Sequence, residues 1–526
     1  MSETTAWVSH SLAKDATEDN AGYHGLAWRA QEPALRLVRD VHDGTFALRD
    51  GVYLRQFPRE SDESFRDRKN ESVLFNATRA TVRGWTGMVY RKDPTLSDDV
   101  PEALREDLDN IDFAGRDLAT FGRDVFHDKE LDGHGHVFVD WHGPDNPATL
   151  RDEEAEARPY AVHITKEQVI RFRSESRGGN TVLTMFAYIE TETVPDGNFV
   201  EKEVERVRQY DLQEVVDPET GEEQTRVRYR AWVRDKGQAG EWAPEEDDDG
   251  AIIDTTLGPR MTRIPLVTDY ADRTGFMTSN PPALDLAQQN LRHFRLSSDR
   301  DDSLHKVLQA VFVVSGVEAE EIGEMVTDHG LALPDTEMGA AYVEPQGNGL
   351  QHAREELQDI ERRMQALGLQ ALVQHNRGQR TATEQRMEKA ERDSDLAQSA
   401  KAHQAALQEV LDLMAMWRGI DTAGQVEVNV DFDTLVLDPQ MITALEKLVP
   451  EKLSLETFWD IMAQGEVLPD TFDAATEKER IAEGGIGELQ AFLEMVQARQ
   501  QEGAGGQEAD GDSNAGGDDE DESRAA

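Results

Sequence analysis

The sequence predicts a protein of the α+β class with a mainly helical core. Three observations on the spacing of apolar residues lead to this prediction. Residues 1–130 show helical spacing, residues 134–270 alternate with a period of two, and long stretches with helical spacing return after residue 279. Because 526 residues exceed the usual length of one domain, we expect several compact units.

The N-terminal part is predicted to be helical. Ser61 is a candidate cap for a helix within residues 60–94, where apolar residues recur among charged ones until Gly87 and Pro94 end the pattern. A second helical stretch is predicted over residues 113–133.

Residues 134–270 predict a mostly antiparallel β region. Short runs rich in β-branched and aromatic residues are separated by turn sequences such as "PDG" (195–197) and "DPETGE" (217–222). The acidic run "EEDDDG" (245–250) is interpreted as a solvated loop.

Two amphipathic helices are predicted on either side of a small insert. The first covers residues 279–306, with Asn280 as its cap and Pro281 in its first turn, and the second covers residues 350–372. The insert, residues 307–349, predicts a strand in "VLQAVFVVSG" and a short helix in "EAEEIGEMVTD". Each helix carries an apolar stripe that we expect to face a partner surface: Leu284, Ala287, Leu291, Phe294, Leu357, Ile360, Met364 and Leu367.

A basic break, "HNRGQRTATEQRMEKAERDSDLAQ" (375–398), follows the second helix. Thr381 and Glu384 match a capping box, so a long helix is predicted to start there and to reach Trp417. The basic residues therefore belong to a loop that joins two long helices.

The C-terminal part predicts one or two strands in residues 425–438 and then helices interrupted at Pro450 and Gly465. Residues 501–526 contain nine acidic residues, one arginine and no aromatic residue. Such a composition cannot bury enough apolar surface to fold, so disorder is predicted.

The composition is strongly acidic, with 105 Asp and Glu residues against 55 Lys and Arg residues and a formal net charge of −50. A surface of this kind is typical of proteins from salt-rich cytoplasm, where salt screens the repulsion between carboxylates. Tight wrapping of nucleic acid is disfavoured, although brief contact with sliding DNA is compatible with this charge. The absence of cysteine excludes disulfides and thiolate chemistry, and no apolar run predicts a membrane span or a signal peptide.

One stretch, "DGHGHVFVDWH" (132–142), contains several residue types that bind metals. On a strand, His136, Asp140 and His142 share one face, but Phe138 stands between them and no further ligand spacing follows. We favour partly exposed strand histidines over a metal site. No common nucleotide-binding, hydrolase or zinc-protease motif occurs, so we predict neither an enzyme nor a cofactor.

Five stretches, in order, resemble the portal proteins of tailed double-stranded DNA viruses. The resemblance spans about residues 50 to 485, and its stretches begin "YLRQFPRESDESFRDRKN" (from Tyr53), "GRDLATFGRDVFHDKELDG" (from Gly115), "PPALDLAQQNLRHFRLSS" (from Pro281), "ALGLQALVQHNRGQRTATEQ" (from Ala366) and "LSLETFWDIMAQGEVLPD" (from Leu453). The long acidic hairpin region at about 183–250 departs from the family pattern.

The resemblance implies a portal fold, whose parts would be a wing (1–278, β-rich in 134–270), stem helices (279–306 and 350–372), an α/β clip (307–349), a tunnel loop (373–383), a long wing helix and strand (384–435), a helical crown (436–500) and an acidic tail (501–526). It implies a dodecameric ring, located at one capsid vertex of the virion after assembly in the host cytoplasm. The stripe residues would pack between subunits. The tunnel-loop candidates for contact with DNA are His375, Asn376, Arg377, Gln379 and Arg380.

The partners implied are translocating double-stranded DNA, read without sequence specificity, the terminase large subunit, the major capsid protein and a head–tail adaptor, with no membrane. Arg377 and Arg380 would meet phosphates briefly, or would instead pair with Glu384 and Glu388 or with a neighbouring subunit. Two alternatives stay open: a metal-dependent DNA-processing enzyme that uses the histidine cluster, and a capsid scaffold or minor head protein.

Overall fold

The computed structural model divides the chain into two compact units, Met1–Val430 and Asp431–Ala526. The residues that the structure describes are 20–142, 157–216, 223–235, 241–246, 250–258, 261–308, 311–315, 330–333, 339–343, 348–368, 382–430, 432, 439–447, 449, 454–464, 467–468 and 472–484. They combine helices and sheets, which confirms the predicted α+β class.

The N-terminal part of the first unit is helical, as predicted. Its helices are α1 (Leu26–Asp43), α2 (Thr45–Asp50), α3 (Asp62–Glu71), α4 (Ala77–Val89), α5 (Glu102–Leu108) and α6 (Leu118–Asp132). Ser61 caps α3 as expected, because its Oγ accepts a hydrogen bond from the Ser64 amide at 3.1 Å.

The helix predicted within residues 60–94 is in fact two helices, separated at 72–76. In this extended segment Ser72 and Leu74 are buried, whereas Val73 and Phe75 point outward. The backbone amide of Leu74 donates to Thr45 Oγ1 at 3.1 Å, so tertiary hydrogen bonds replace the helical ones. Asn76 then caps α4 through the Arg79 amide.

Two larger antiparallel sheets form most of the described β region of the first unit, again as predicted, and β11 and β12 pair only with each other. The strands before the next helix, in addition to β1 (Thr95–Leu96), are β2 (His134–His142), β3 (Arg158–Ile164), β4 (Val169–Arg177), β5 (Asn180–Pro195), β6 (Glu201–Val216), β7 (Glu223–Asp235), β8 (Ala243–Pro244), β9 (Asp254–Thr256), β10 (Leu266–Tyr270), β11 (Arg273–Gly275) and β12 (Thr278–Ser279). One sheet has the order β10-β2-β3, and the other has the order β4-β5-β6-β7-β8 with β9 also paired to β7.

A shared core joins these two sheets. Phe138 from β2, Phe186 from β5 and Tyr210 from β6 lie in one cluster of buried side chains. Full burial of such a side chain contributes about 1.5–3 kcal/mol, so this aromatic contact fixes one sheet against the other.

Two long helices follow, α7 (Leu284–Leu308) and α8 (Asn348–Leu367), with three strands between them. The first helix starts later than predicted, because Pro281 lies in a turn in which its carbonyl accepts from the Leu284 amide at 3.1 Å. Asn280 is not its cap and donates instead to Asp272. The strands are β13 (Val311–Ser315), parallel β14 (Gly330–Leu333) and antiparallel β15 (Gly339–Val343). The short helix predicted in residues 318–328 lies outside the described residues.

The long helix predicted after the basic break is α9 (Ala382–Arg418), and its 37 residues span roughly 55 Å. Its apolar residues Leu407, Val410 and Met414 enter a core with Phe121 of α6 and Val137 of β2. Of the strand predicted over 425–438, the described residues show only β16 (Val426–Glu427), which pairs with β1.

The second unit contains α10 (Pro439–Glu446), α11 (Leu455–Gln464) and α12 (Ala474–Gly484), in agreement with the predicted C-terminal helices. Ile442, Phe458, Trp459 and Met462 form its core. Residues 501–526 lie outside the described residues. Within the described part of the chain, no helix is long and apolar enough to cross a bilayer.

Replacing Asn290 by leucine should destabilise the first unit. Asn290 Oδ1 accepts from the Thr78 amide at 3.0 Å and Asn290 Nδ2 donates to the Phe75 carbonyl at 2.7 Å. Asn290→Leu leaves the buried Thr78 amide without this partner and removes one of the two hydrogen bonds to the Phe75 carbonyl. We expect the free energy of unfolding in urea to fall by about 2–3 kcal/mol. The exposed neighbour Gln288→Leu should change it by less than about 0.5 kcal/mol, and equal effects of both variants would contradict this role.

Candidate functional site

The paired helices α7 and α8, with the sheet β13–β15 between them, are the part of the fold that sequence analysis assigned to function. Arg292 on α7 binds Glu356 on α8 at 2.7 Å, and His293 lies 3.3 Å from Glu361. Leu286, near the start of α7, packs with Met364, near the end of α8. The two helices are therefore antiparallel.

The apolar stripe of α7 packs against the same chain. Leu284, Ala287, Leu291 and Phe294 contact a core that includes Val82 of α4 together with residues of α1 and α2. Contacts within one chain thus account for their burial, and their assignment to subunit packing stays a prediction.

The stripe of α8 is divided between the interior and the surface. Leu357, Ile360 and Met364 are buried, and the last two pack on Ala77 of α4. Leu367, in contrast, is 44% exposed at the end of the helix. Of the eight predicted stripe residues, Leu367 is the one whose side chain keeps a large surface for another molecule.

The segment that follows α8 is held in place where it begins, at Gly368. A Cβ on Gly368 would come within 2.5 Å of Thr81 Cγ2, so the end of α8 lies directly on α4 and glycine is required by this close approach. The predicted DNA-contact residues His375, Asn376, Arg377, Gln379 and Arg380 lie in 369–381, outside the described residues. The capping box predicted at Thr381 also begins there.

A buried polar network anchors α9 to the rest of the first unit. Asp269 of β10 pairs with Lys129 of α6 at 3.0 Å and with His403 of α9 at 2.5 Å, and the His403 ring also lies 2.5 Å from the hydroxyl of Tyr90. Lys129 further donates to the Ser399 carbonyl of α9 at 2.7 Å. Three elements, β10, α6 and α9, therefore meet at one carboxylate, and Tyr90, directly after α4, joins the network through His403.

The electrostatics of this network select one protonation state. Burial acts to raise the pKa of Asp269, but Lys129 and His403 outweigh it and the pKa is lowered. Burial lowers the pKa of His403 against the attraction of Asp269. A neutral His403 that donates from Nδ1 to Asp269 and accepts from Tyr90 at Nε2 satisfies all three groups.

The histidines of β2 do not form a metal site with other described residues. Among the residues that the structure describes, no group of three or more His, Asp or Glu side chains is arranged to hold a metal ion. His136 is buried rather than partly exposed, and its Nδ1 lies 3.0 Å from Thr268 Oγ1. His134 is also buried, with Nδ1 2.6 Å from Ser279 Oγ. These two rings are structural, whereas His142 is exposed.

Sequence reasoning did not single out Tyr90, Lys129, Asp269 or His403. A weak signal existed, since Asp269 interrupts the apolar strand "LVTDY" and Lys129 lies on a helix with apolar residues around it. A buried charge in an apolar run needs a partner, but the sequence does not identify a partner that lies far away along the chain.

A family model described as a domain of unknown function (DUF4055) matches residues 282–418. This range contains α7, β13–β15, α8 and α9, so the matched part of the chain coincides with the paired helices, their sheet and the following long helix. None of the curated proteins compared with the chain matches it.

The solved structures that are similar to the chain include three from gene transfer agent particles. A chain in the virion of a native gene transfer agent particle is 12% identical, with a TM-score of 0.35, over 75% of this chain and 90% of that chain. A chain in the neck of the empty particle, computed with C6 symmetry, is 10% identical, with a TM-score of 0.35 and coverages of 77% and 89%. A chain in the neck of the native particle, computed with C12 symmetry, is 9% identical, with a TM-score of 0.33 and coverages of 78% and 89%.

The pH dependence of stability should depend on His136. Burial, aided by Lys166 and His163, lowers its pKa to about 3, whereas in the unfolded chain it titrates near its ordinary value of roughly 6.5. Between these values the unfolded chain binds a proton that the folded chain does not, so stability is lost as the pH falls. From pH 7 to pH 5 this loss is roughly 2 kcal/mol.

We therefore expect His136→Gln to lose less stability between pH 7 and pH 5 than the unmodified protein, as measured by urea unfolding at both pH values. His142→Gln, at the exposed end of the same strand, is the matched control. An unchanged pH dependence in His136→Gln would show that His136 does not make this contribution.

Proposed function

We propose that this chain is the portal protein of a tailed double-stranded DNA virus whose host has a salt-rich cytoplasm. Copies would form a ring, twelve in number by the resemblance, at one vertex of the capsid, and DNA would pass through its centre during packaging and ejection. The observation that carries the proposal is the antiparallel pair α7–α8, joined through a three-stranded sheet and followed by the long helix α9. The role is mechanical and needs neither cofactor nor catalysis.

The helix pair suits a ring because its two faces differ. One face is buried against α1, α2 and α4 of the same chain, so the pair is held rigidly. The outer face carries charges of both signs, including Arg292 with Glu356 and Arg362 with Asp359, each pair at 2.7 Å. When neighbouring copies pack side by side in a ring, charged side chains of this kind are able to form ion pairs with the next copy.

The net charge of −50 suits a channel through which DNA slides. An acidic wall repels the phosphate backbone and so prevents tight binding along the path. Within the proposal, the few basic residues of the tunnel loop, Arg377 and Arg380, supply brief contacts with phosphates.

The proposal also names the partners. The packaging motor, of which the terminase large subunit is the ATPase, the major capsid protein and a head–tail adaptor would each bind the ring, as the resemblance implies. The alternative of a metal-dependent enzyme has less support, because His134 and His136 form buried hydrogen bonds to hydroxyl groups, and no set of metal ligands is formed by the residues that the structure describes. A scaffold or minor head protein would form no closed ring, and the first experiment below separates it from a portal.

The purified protein should form closed rings with a central hole. We expect negative-stain images and mass photometry in high salt to show a large homo-oligomer, since salt reduces the repulsion between copies of charge −50. If the protein stays monomeric at every salt concentration, the proposed ring is wrong.

Deleting residues 375–380 should leave the ring intact and should impair packaging or retention of DNA, because it removes Arg377 and Arg380 without touching α8 or α9. The measurement is the amount of nuclease-protected DNA in particles assembled with the variant. Replacement of the same six residues by a Gly-Ser linker is the matched control for loop length. Normal packaging in both variants would remove any role for this loop.

A further inference from the structure

The two longest stretches of the chain without aspartate or glutamate are residues 72–92 and 362–383, and residues 286–298 form a shorter one. Together they carry ten Arg and Lys residues. In a protein with 105 acidic residues, such stretches are unusual, and the remainder of the chain is consequently even more acidic than its net charge of −50 suggests. The described parts of these stretches lie close together in the fold.

The described parts of these stretches converge on α4. Residues 72–92 contain α4, which is joined to α7 because the buried Asn290 bonds both Thr78 and the Phe75 carbonyl. The end of α8 reaches the same helix, since Gly368 lies against Thr81. Residues 72–92, 286–298 and 362–368 therefore form one continuous region, whose exposed side is here called the acid-free surface.

The acid-free surface exposes large apolar side chains. Val73 is 64% exposed, Phe75 is 57% exposed and Leu367 is 44% exposed. Phe75 lies beside His293 of α7, with 6.0 Å between the ring centres, so the apolar residues border the helix pair. Exposed apolar side chains grouped in this way are typical of a surface that binds protein.

The same surface offers a free positive charge. Arg83 is exposed on α4 and makes no hydrogen bond or ion pair with any residue that the structure describes. Lys92, just beyond the helix, is also exposed. At the edge of the surface, the cations of α7 and α8 are paired, as in Arg292 with Glu356. A partner with an acidic surface would therefore find a complementary charge at Arg83.

We propose that the acid-free surface is a contact through which one copy of the chain binds an acidic face of the next copy. This inference rests on the proposed ring and assigns part of its interface to α4 and the 72–76 segment. Two copies that each carry −50 repel one another wherever carboxylates face carboxylates. The acid-free surface, with exposed apolar groups and an unpaired arginine, reduces that repulsion on one side of the contact. The carboxylates at its edge, Glu356 and Glu361, lie against Arg292 and His293 of the same chain.

A nucleic acid is the less suitable occupant of this surface. Phosphates attract cations, but Val73, Phe75 and Leu367 would gain nothing from a hydrated phosphate backbone. An acidic protein surface uses both properties, because its carboxylates pair with Arg83 while its apolar groups cover the exposed side chains.

The test compares Arg83→Glu with Arg123→Glu. Both arginines are exposed on helices, and both changes alter the charge equally, but Arg123 lies on α6 outside the acid-free surface. Mass photometry and negative-stain imaging over a range of protein and salt concentrations report assembly. Circular dichroism and thermal unfolding confirm that each variant is folded. Val73→Ser, in the extended segment, tests the same surface without a new charge.

We expect Arg83→Glu to raise the protein concentration needed for half-assembly by about tenfold or more, equivalent to about 1.4 kcal/mol. Arg123→Glu should assemble as the unmodified protein does, and Val73→Ser should shift assembly in the same direction as Arg83→Glu. Normal assembly of folded Arg83→Glu, or equal losses in both arginine variants, overturns the inference while the proposed ring stands. Normal assembly with reduced retention of DNA reassigns the surface to nucleic acid. An unmodified protein that never assembles overturns both proposals.

Discussion

The pairing of Asp269 with Lys129 and His403 is the interaction on which the first unit depends. It lies where α6, β10, α9 and the residue that follows α4 meet, through Lys129, Asp269, His403 and Tyr90. Removing one partner from a buried ion pair leaves an uncompensated charge, which costs about 3–5 kcal/mol. Together with the apolar core contacts of Val410 and Met414, this fixed polar contact sets where α9 lies against the sheet.

Other cations of the first unit also form ion pairs within the chain. Arg68 is buried with Glu60 at 2.7 Å, and Arg418 at the end of α9 binds Asp107 at 2.5 Å. In the larger sheet, Arg208 of β6 binds Glu190 of β5, and Arg230 of β7 binds Asp211 of β6, so ion pairs connect adjacent strands. Arginine serves these roles well because its planar group donates several hydrogen bonds in fixed directions. With many cations engaged internally, the outer surface remains predominantly acidic.

The sequence predicted the types of the long elements because apolar spacing reports directly which face of a helix or strand is buried. It failed where tertiary contacts override that spacing. Residues 72–76 read as helix but are extended, since Thr45 and Asn290 supply hydrogen bonds from elsewhere in the chain. Burial of Phe294 and Ile360 was foreseen, whereas the partners that bury them were not, because a stripe does not indicate whether its cover lies in the same chain. The contact between Asp269 and His403 joins residues 134 positions apart, and no local pattern encodes such a pairing.

The extended segment between α3 and α4 is held through its main chain. The Ser72 carbonyl accepts from Arg49, the Leu74 amide donates to Thr45, and the Phe75 carbonyl accepts from Asn290. Main-chain hydrogen bonds of this kind do not depend on which side chains point away from them. Positions 73 and 75 are consequently free to diverge between related proteins while the fold beneath them stays the same, so that association preferences are able to evolve separately from stability.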